Sequence, residues 1–271
     1  MKVAGKPAGG RFRPTRTNVT SGRRLRVLSA LVLREMATRY GKSNLGYFWA
    51  VVEPVAYVAI FSVLFSYLSR HPPLGQSFPV FFATGVMVFF FYRGLADTCA
   101  SAFSGNRALF SYPQVTLLDS ILARAFLEFV TRSFVAMIVL VGVIHFAGFE
   151  SIYAIGPILL APLICGATGF GAGLINCVLF NLSNTYQRLY MVVTRPMMII
   201  SGVIFIPERL PAQGREVILW NPLVHMVAYF RTGFYPTYRA DYINFTMMIG
   251  LPLVLIVVGL FLIRRFEGRL Q

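Results

Sequence analysis

Charge is scarce in this sequence, and some of it sits where it needs a reason. Lys, Arg, Asp and Glu make up 13% of 271 residues. Yet apolar runs contain Glu53, Arg93 and Arg195, and the series Arg124, Glu128, Arg132. An ionisable group inside an apolar span is costly and marks an ion pair, a polar pathway or a proton relay. The i, i+4, i+8 spacing of Arg124, Glu128 and Arg132 places them on one helix face. The favoured reading pairs Glu128 with both arginines. For Glu53, beside Pro54, and for Arg195, structural anchoring and the lining of a polar pathway stand equally open. No row of acids crosses the apolar middle, which argues against ion-driven transport.

Other motifs carry less. Gly41-Lys42-Ser43 resembles the end of a phosphate-binding loop, but the Gly required five residues before Gly41 is Met36. GATGFGAG (166–173) lies in a continuous apolar run with no strand before it. Gly169 and Gly173 read instead as a small-xxx-small pair for close helix packing. His71, His145 and His225 are scattered, no HExxH occurs, and Cys99, Cys165 and Cys177 suggest neither a disulfide framework nor a zinc site. Tyr57, Phe61 and Phe65 share a helix face. They read as lipid-facing or, less favoured, as stacking rings along a sugar conduit.

The elements that position these residues are apolar helices. Hydrophobic residues make up 56% of the chain, and mean hydropathy is +0.66. A soluble domain carries about 25% charged residues, so the fold class is an all-α polytopic membrane protein. Spans of about 20 apolar residues are expected at 47–68, 78–95, 125–149, 152–180, 189–206 and 243–263, six in all. Arg195-Pro196 interrupts the fifth.

Residues 1–42 hold 11 Lys/Arg and one acid, Glu35. A basic segment before a first span is the positive-inside signal and attracts anionic lipid. That reading is favoured over a nucleic-acid arm and places both termini in the cytoplasm. Neither a secretory nor a twin-arginine leader fits, because Arg34 and Glu35 interrupt the short apolar run.

The expected layout is a basic tail (1–21), an interfacial amphipathic helix (22–42) and a six-span domain (43–271). Leu25, Leu28, Val32, Met36 and Tyr40 form the helix's apolar stripe, and Glu35 pairs with Arg39. Residues 207–242 carry Arg209, Arg215, Arg231 and Arg239, many cations for an outer loop. They are also too apolar for a plain loop. Asn221-Pro222 divides them into two short helices, read as a re-entrant outer hairpin.

LREMATRYGKSNLGYFWAVVEPV (33–55) resembles the N-terminal signature of ABC-2-type polysaccharide export permeases. PPLGQSFPVFFATGVMVFFFYR (72–93) and NPLVHMVAYFRTGFYPTY (221–238) resemble segments of Gram-negative capsular polysaccharide exporters. The resemblance covers most of 25–265. It implies a homodimer in the bacterial inner membrane, working with a dimeric ATPase that holds the ATP and Mg. This chain itself would bind no cofactor.

The implied cargo is a lipid-linked acidic polysaccharide, with periplasmic and outer-membrane export proteins beyond it. Implied ATPase-coupling residues are Arg34, Glu35 and Arg39 on the interfacial helix, and Arg107, Tyr112 and Gln114 in the connection 105–119. Implied pathway residues are Glu53, Tyr57, Phe61, Arg93, Arg195, Arg231 and Arg239. The alternatives are an ABC-2 permease for O-antigen, teichoic acid or a small drug, and a non-transporting scaffold of a polysaccharide assembly machine.

Overall fold

The computed structural model describes residues 21–40, 46–69, 71–106, 110, 115–147 and 152–270. The basic tail 1–20, the Gly41-Lys42-Ser43 run, Arg107, Tyr112 and Gln114 lie outside them. The described chain is helical: α1 (Ser21–Tyr40), α2 (Gly46–Leu68), α3 (Phe78–Ala100), α4 (Ala102–Asn106), α5 (Leu117–Ala147), α6 (Ile155–Leu182), α7 (Asn184–Thr194), α8 (Met197–Ile200), α9 (Ala212–Ile218), α10 (Pro222–Thr232) and α11 (Phe245–Leu270).

Helix α3 is the centre. Its sequence is apolar on every side, and every residue from Val80 to Tyr92 is buried, as expected of a helix enclosed by others. Helices α2, α5, α6 and α10 pack around it, and α6 also packs on α11. The glycine run of α6 explains the closeness. A Cβ at Gly169 would collide with the Tyr92 carbonyl, and one at Gly173 would lie 2.5 Å from Cys99 Cβ. On the other side, a Cβ at Gly171 would lie 2.7 Å from Leu255, and one at Gly259 of α11 would lie 2.5 Å from Leu174. The packing reading of GATGFGAG therefore stands.

Among the described residues, five helices are long and apolar enough to cross a membrane: Phe48–Leu68, Phe78–Ala100, Leu117–Ala147, Ile155–Leu182 and Phe245–Phe266. The expected fifth span, 189–206, is not a sixth such helix. It begins earlier, at Asn184, where the Ser183 side chain accepts from the Tyr186 N–H. It breaks at Arg195-Pro196 because proline lacks the N–H for the i→i−4 bond. The short α8 and the irregular stretch 201–206 follow.

Helix α5 also starts earlier than expected, at Leu117. Thr116 and Asp119 form a reciprocal cap: the Thr116 hydroxyl donates to Asp119 Oδ2 at 2.7 Å, and the Asp119 N–H donates to Thr116 Oγ1 at 3.2 Å. Such a box stabilises a helix start by about 1 kcal/mol. Its 31 residues measure about 46 Å, so α5 outreaches a hydrocarbon core of about 30 Å.

The connections gather at two ends. Near one end, Arg209 Nη2 donates to the Pro73 carbonyl at 3.0 Å, and the Tyr153 and Ala154 N–H groups donate to Gly233 O. Gly75, at φ +66°, leaves only enough room for the Tyr235 ring. The 71–77 loop, the start of α6 and the 201–245 region therefore share this end. Helices α1 and α4 and the start of α5 occupy the other.

Candidate functional site

Two clusters of charge are built into the bundle, one at each end. The first joins α1, the α3–α4 junction and α5. Helix α1 turns a face other than its expected lipid-facing stripe toward the bundle. Leu31 and Glu35 are buried against the bundle, while Leu25, Leu33 and Met36 stay exposed. Glu35 faces α5, where Arg124 Nε lies 3.0 Å from Glu35 Oε1. Glu35 thus has a long-range partner on α5 that the expected Glu35–Arg39 pairing did not include. The Arg39 side chain lies outside the described residues.

Arg124 also donates from Nη1 to Ser101 O (3.0 Å) and Ser101 Oγ (3.2 Å). Beside it, Arg34 Nη1 donates to Asn106 Oδ1 at 3.2 Å, and Asn106 Nδ2 donates to Ser120 Oγ at 2.7 Å. All of these but Ser120 line a polar cleft of about 300 Å³, together with Thr38, Thr98 and Gly105.

The expected triple Arg124–Glu128–Arg132 is therefore divided. Glu128 pairs with Arg132 at 2.7 Å, one turn along α5. Gly94 of α3 makes room for that pair, since a Cβ there would sit 2.6 Å from Glu128 Oε1. Arg132 also lies over the Phe90 ring at 5.4 Å.

The second cluster is centred on Arg231 in α10. Asn221 caps this helix, its side chain accepting from the Leu223 N–H at 3.0 Å, and Pro222 fills the first turn. Arg231 is not on an outer surface but 1% exposed. Nη1 donates to Gly202 O (2.7 Å) and Phe205 O (3.4 Å), and Nη2 donates to Val203 O (2.8 Å) and Phe81 O (3.4 Å).

The guanidinium carbon lies 4.0 Å from the Phe81 ring centroid. A Cβ at Gly85 would come within 2.8 Å of Nη2. Among the described residues, no carboxylate lies within ion-pair distance of it. Burial lowers its pKa to about 10, which leaves it cationic at neutral pH. The carbonyl dipoles of the irregular 201–206 stretch supply the counter-field.

Three of the four arginines expected to give 207–242 an unusual positive charge thus have structural contacts. Arg209 holds Pro73, Arg215 lies 5.8 Å from the Tyr242 ring centroid, and Arg231 binds carbonyls. Arg239 is exposed. His225 serves the same region. Its Nε2 lies 2.8 Å from Leu219 O and its Nδ1 accepts from the Asn244 N–H at 3.4 Å. These two contacts tie the α9–α10 turn to the start of α11. Sequence reasoning gave His225 no role. The only signal was its place in a segment too apolar for a loop.

The remaining pathway residues are not brought together. Tyr57 stacks on Phe61 (6.2 Å) and meets Phe90 edge-on (5.6 Å), while Phe61 and Phe65 approach Phe82 at 5.7 and 5.2 Å. That face packs within the chain against α3, with Tyr57, Phe61 and Phe65 each still partly exposed. Arg93 forms a partly exposed i,i+4 pair with Asp97 at 3.4 Å. Glu53 on α2 and Arg195, at the end of α7, are both exposed.

Five long apolar helices define a polytopic helical membrane protein. Among the described residues, no group of His, Cys, Asp and Glu could hold a metal. A model of the ABC-2 type transporter family matches residues 26–235, and the chain belongs to that family.

It is 34% identical over 243 residues to the polysialic acid transport protein KpsM of Escherichia coli, covering 89% of this chain and 93% of that protein. It is 30% identical over 244 residues to the capsule polysaccharide export inner-membrane protein CtrC of Neisseria meningitidis serogroup B, covering 89% and 91%. It is 25% identical over 242 residues to the capsule polysaccharide export inner-membrane protein BexB of Haemophilus influenzae, covering 89% and 91%.

Proposed function

We propose that this chain is the transmembrane subunit of an ATP-driven exporter that moves lipid-linked acidic capsular polysaccharide from cytoplasm to periplasm. The carrying observation is similarity along nine-tenths of the chain to capsule export and polysialic acid transport proteins. The chain is a transporter subunit rather than an enzyme. ATP and Mg sit on a separate ATPase dimer, and a second copy of this chain completes the permease in the inner membrane.

Both termini are cytoplasmic in this reading, which follows from the basic tail. The end carrying α1 and α4 is then the ATPase side. Arg34 and Arg39 on α1 meet the ATPase together with Arg107, Tyr112 and Gln114, while Glu35, buried against α5, couples through Arg124. The opposite end, with α9 and α10, faces the periplasm, where export proteins would receive the polymer. Exposed Glu53, Arg195 and Arg239 remain as pathway groups, with Arg93 at the inner end. Tyr57, Phe61 and Arg231 act through packing. The domain layout of basic tail, interfacial helix and permease body belongs to the same reading.

The test is an in-frame deletion in the native host, with surface and intracellular acidic polysaccharide assayed separately. Loss from the surface with accumulation inside supports export. Unchanged surface polymer overturns the capsule reading, and absence from both places points to a scaffold required for synthesis.

A further inference from the structure

We propose that Arg124 is a positioning residue that locks α1 and α4 to α5, so that force delivered by the ATPase to either element moves one unit. This rests on the exporter reading above. The argument begins with α4. It has five residues, too few for an independent helix. Something outside must hold it, and two cross-links through α1 and α5 do so.

One link runs from Glu35 of α1 to Arg124 of α5 and on to Ser101 at the α3–α4 junction. The other runs from Arg34 of α1 to Asn106 at the end of α4 and on to Ser120 of α5. Asn106 and Ser120 are 4% and 1% exposed, so the Asn106–Ser120 half of the second link is shielded from competing water, while Arg34 is exposed.

Arg124 is the member that touches all three elements. Its side chain is 12% exposed. Its guanidinium end fits over Gly105, where a Cβ would lie 2.5 Å from Nη2 and 3.1 Å from Nη1. It has an i+4 acid on its own helix in Glu128, yet contacts the acid of α1. Its Nε is close to Glu35 but has no aligned hydrogen bond. The Glu35 contact is thus one of charge, tolerant of small sliding, while the Ser101 contacts are directional. Such a joint transmits displacement and accommodates small angular change.

The test uses the full permease with its ATPase in the native host and in purified complexes. Three quantities are read: ATPase chain co-purified per permease, ATP hydrolysis, and acidic surface polymer stained with a cationic dye. For Arg124→Ala, the ATPase stays bound and hydrolysis stays within about twofold, while export per ATP falls at least about tenfold. Arg124→Lys keeps the charge and recovers part of the coupling. Gly105→Ala displaces the guanidinium without removing charge and lowers coupling in the same direction. Glu35→Ala combined with Arg124→Ala is no worse than Arg124→Ala alone.

Normal export per ATP in Arg124→Ala overturns the proposal, as does additivity of the two alanine variants. If Arg124→Ala does not reach the membrane, Arg124→Lys and Gly105→Ala decide by the same ratio. Failure of the exporter reading is separate, because then the deletion strain itself keeps its surface polymer.

Discussion

Arg231 and Arg124 are two cations withdrawn from water at opposite ends of one bundle, and they are held in opposite ways. Arg231 is enclosed by four backbone carbonyls and an aromatic face. Arg124 meets a carboxylate from one helix and a serine from another. A carbonyl cage made by main chain cannot change rotamer, so it fixes shape. A pair between side chains can loosen and re-form when its helices shift. The rigid fastening lies where α10, α3 and the 201–206 stretch meet. The adaptable one lies where α1 and α4 meet α5.

The contrast can be broken at its rigid side first. Arg231→Met keeps much of the volume but strands buried carbonyls. With hydrogen bonds to a charged group worth about 1.5–3 kcal/mol each, this is the largest expected effect, about 3 kcal/mol or more. It should appear as lost membrane protein and a lower melting temperature in detergent. A normally stable Arg231→Met protein would show that the cage does not fix that end.

Gly94→Ala is next. Its methyl meets the Glu128–Arg132 pair, and overpacking costs about 1–3 kcal/mol. The same melting assay reads it, and combination with Glu128→Ala should relieve the loss. Asn106→Ala sharpens the adaptable side. It removes hydrogen bonds to Arg34 and Ser120 worth about 1 kcal/mol each, so export should fall more than the melting temperature does. Asp97→Ala comes last. Its pair with Arg93 is half-exposed, and a shift within about 0.5 kcal/mol is expected; a larger one would give that pair a role beyond the surface.

Much of the fold is written in local pattern. The apolar run 78–95 foretells a span at α3 but not its central place, since the more apolar Phe48–Leu68 and Phe245–Phe266 are far less buried, and the Gly169/Gly173 pair foretells tight packing. The fifth span reads as one run because hydropathy averages over a window, whereas Pro196 acts at one hydrogen bond and divides the stretch into α7 and α8. The site is less legible because its bonds are long-range. Spacing alone pairs Glu35 with Arg39 and Arg124 with Glu128, yet the fold joins Glu35 to Arg124. Arg231 reads as a loop cation until Gly202, Val203 and Phe205 are seen to turn their carbonyls toward it. The excess of apolar residues around it was the available clue.

The glycine contacts of α6 also determine what in this molecule can slide. Helices α3, α6 and α11 touch almost backbone to backbone, with no clearance for a side chain at Gly169, Gly171, Gly173 or Gly259. A shift of one residue along either seam would drive a side chain into main chain, as in any close-packed interior. The three helices therefore behave as a stator. Any working stroke has to come from the elements mounted on that slab, and the slab itself can only tilt as a whole.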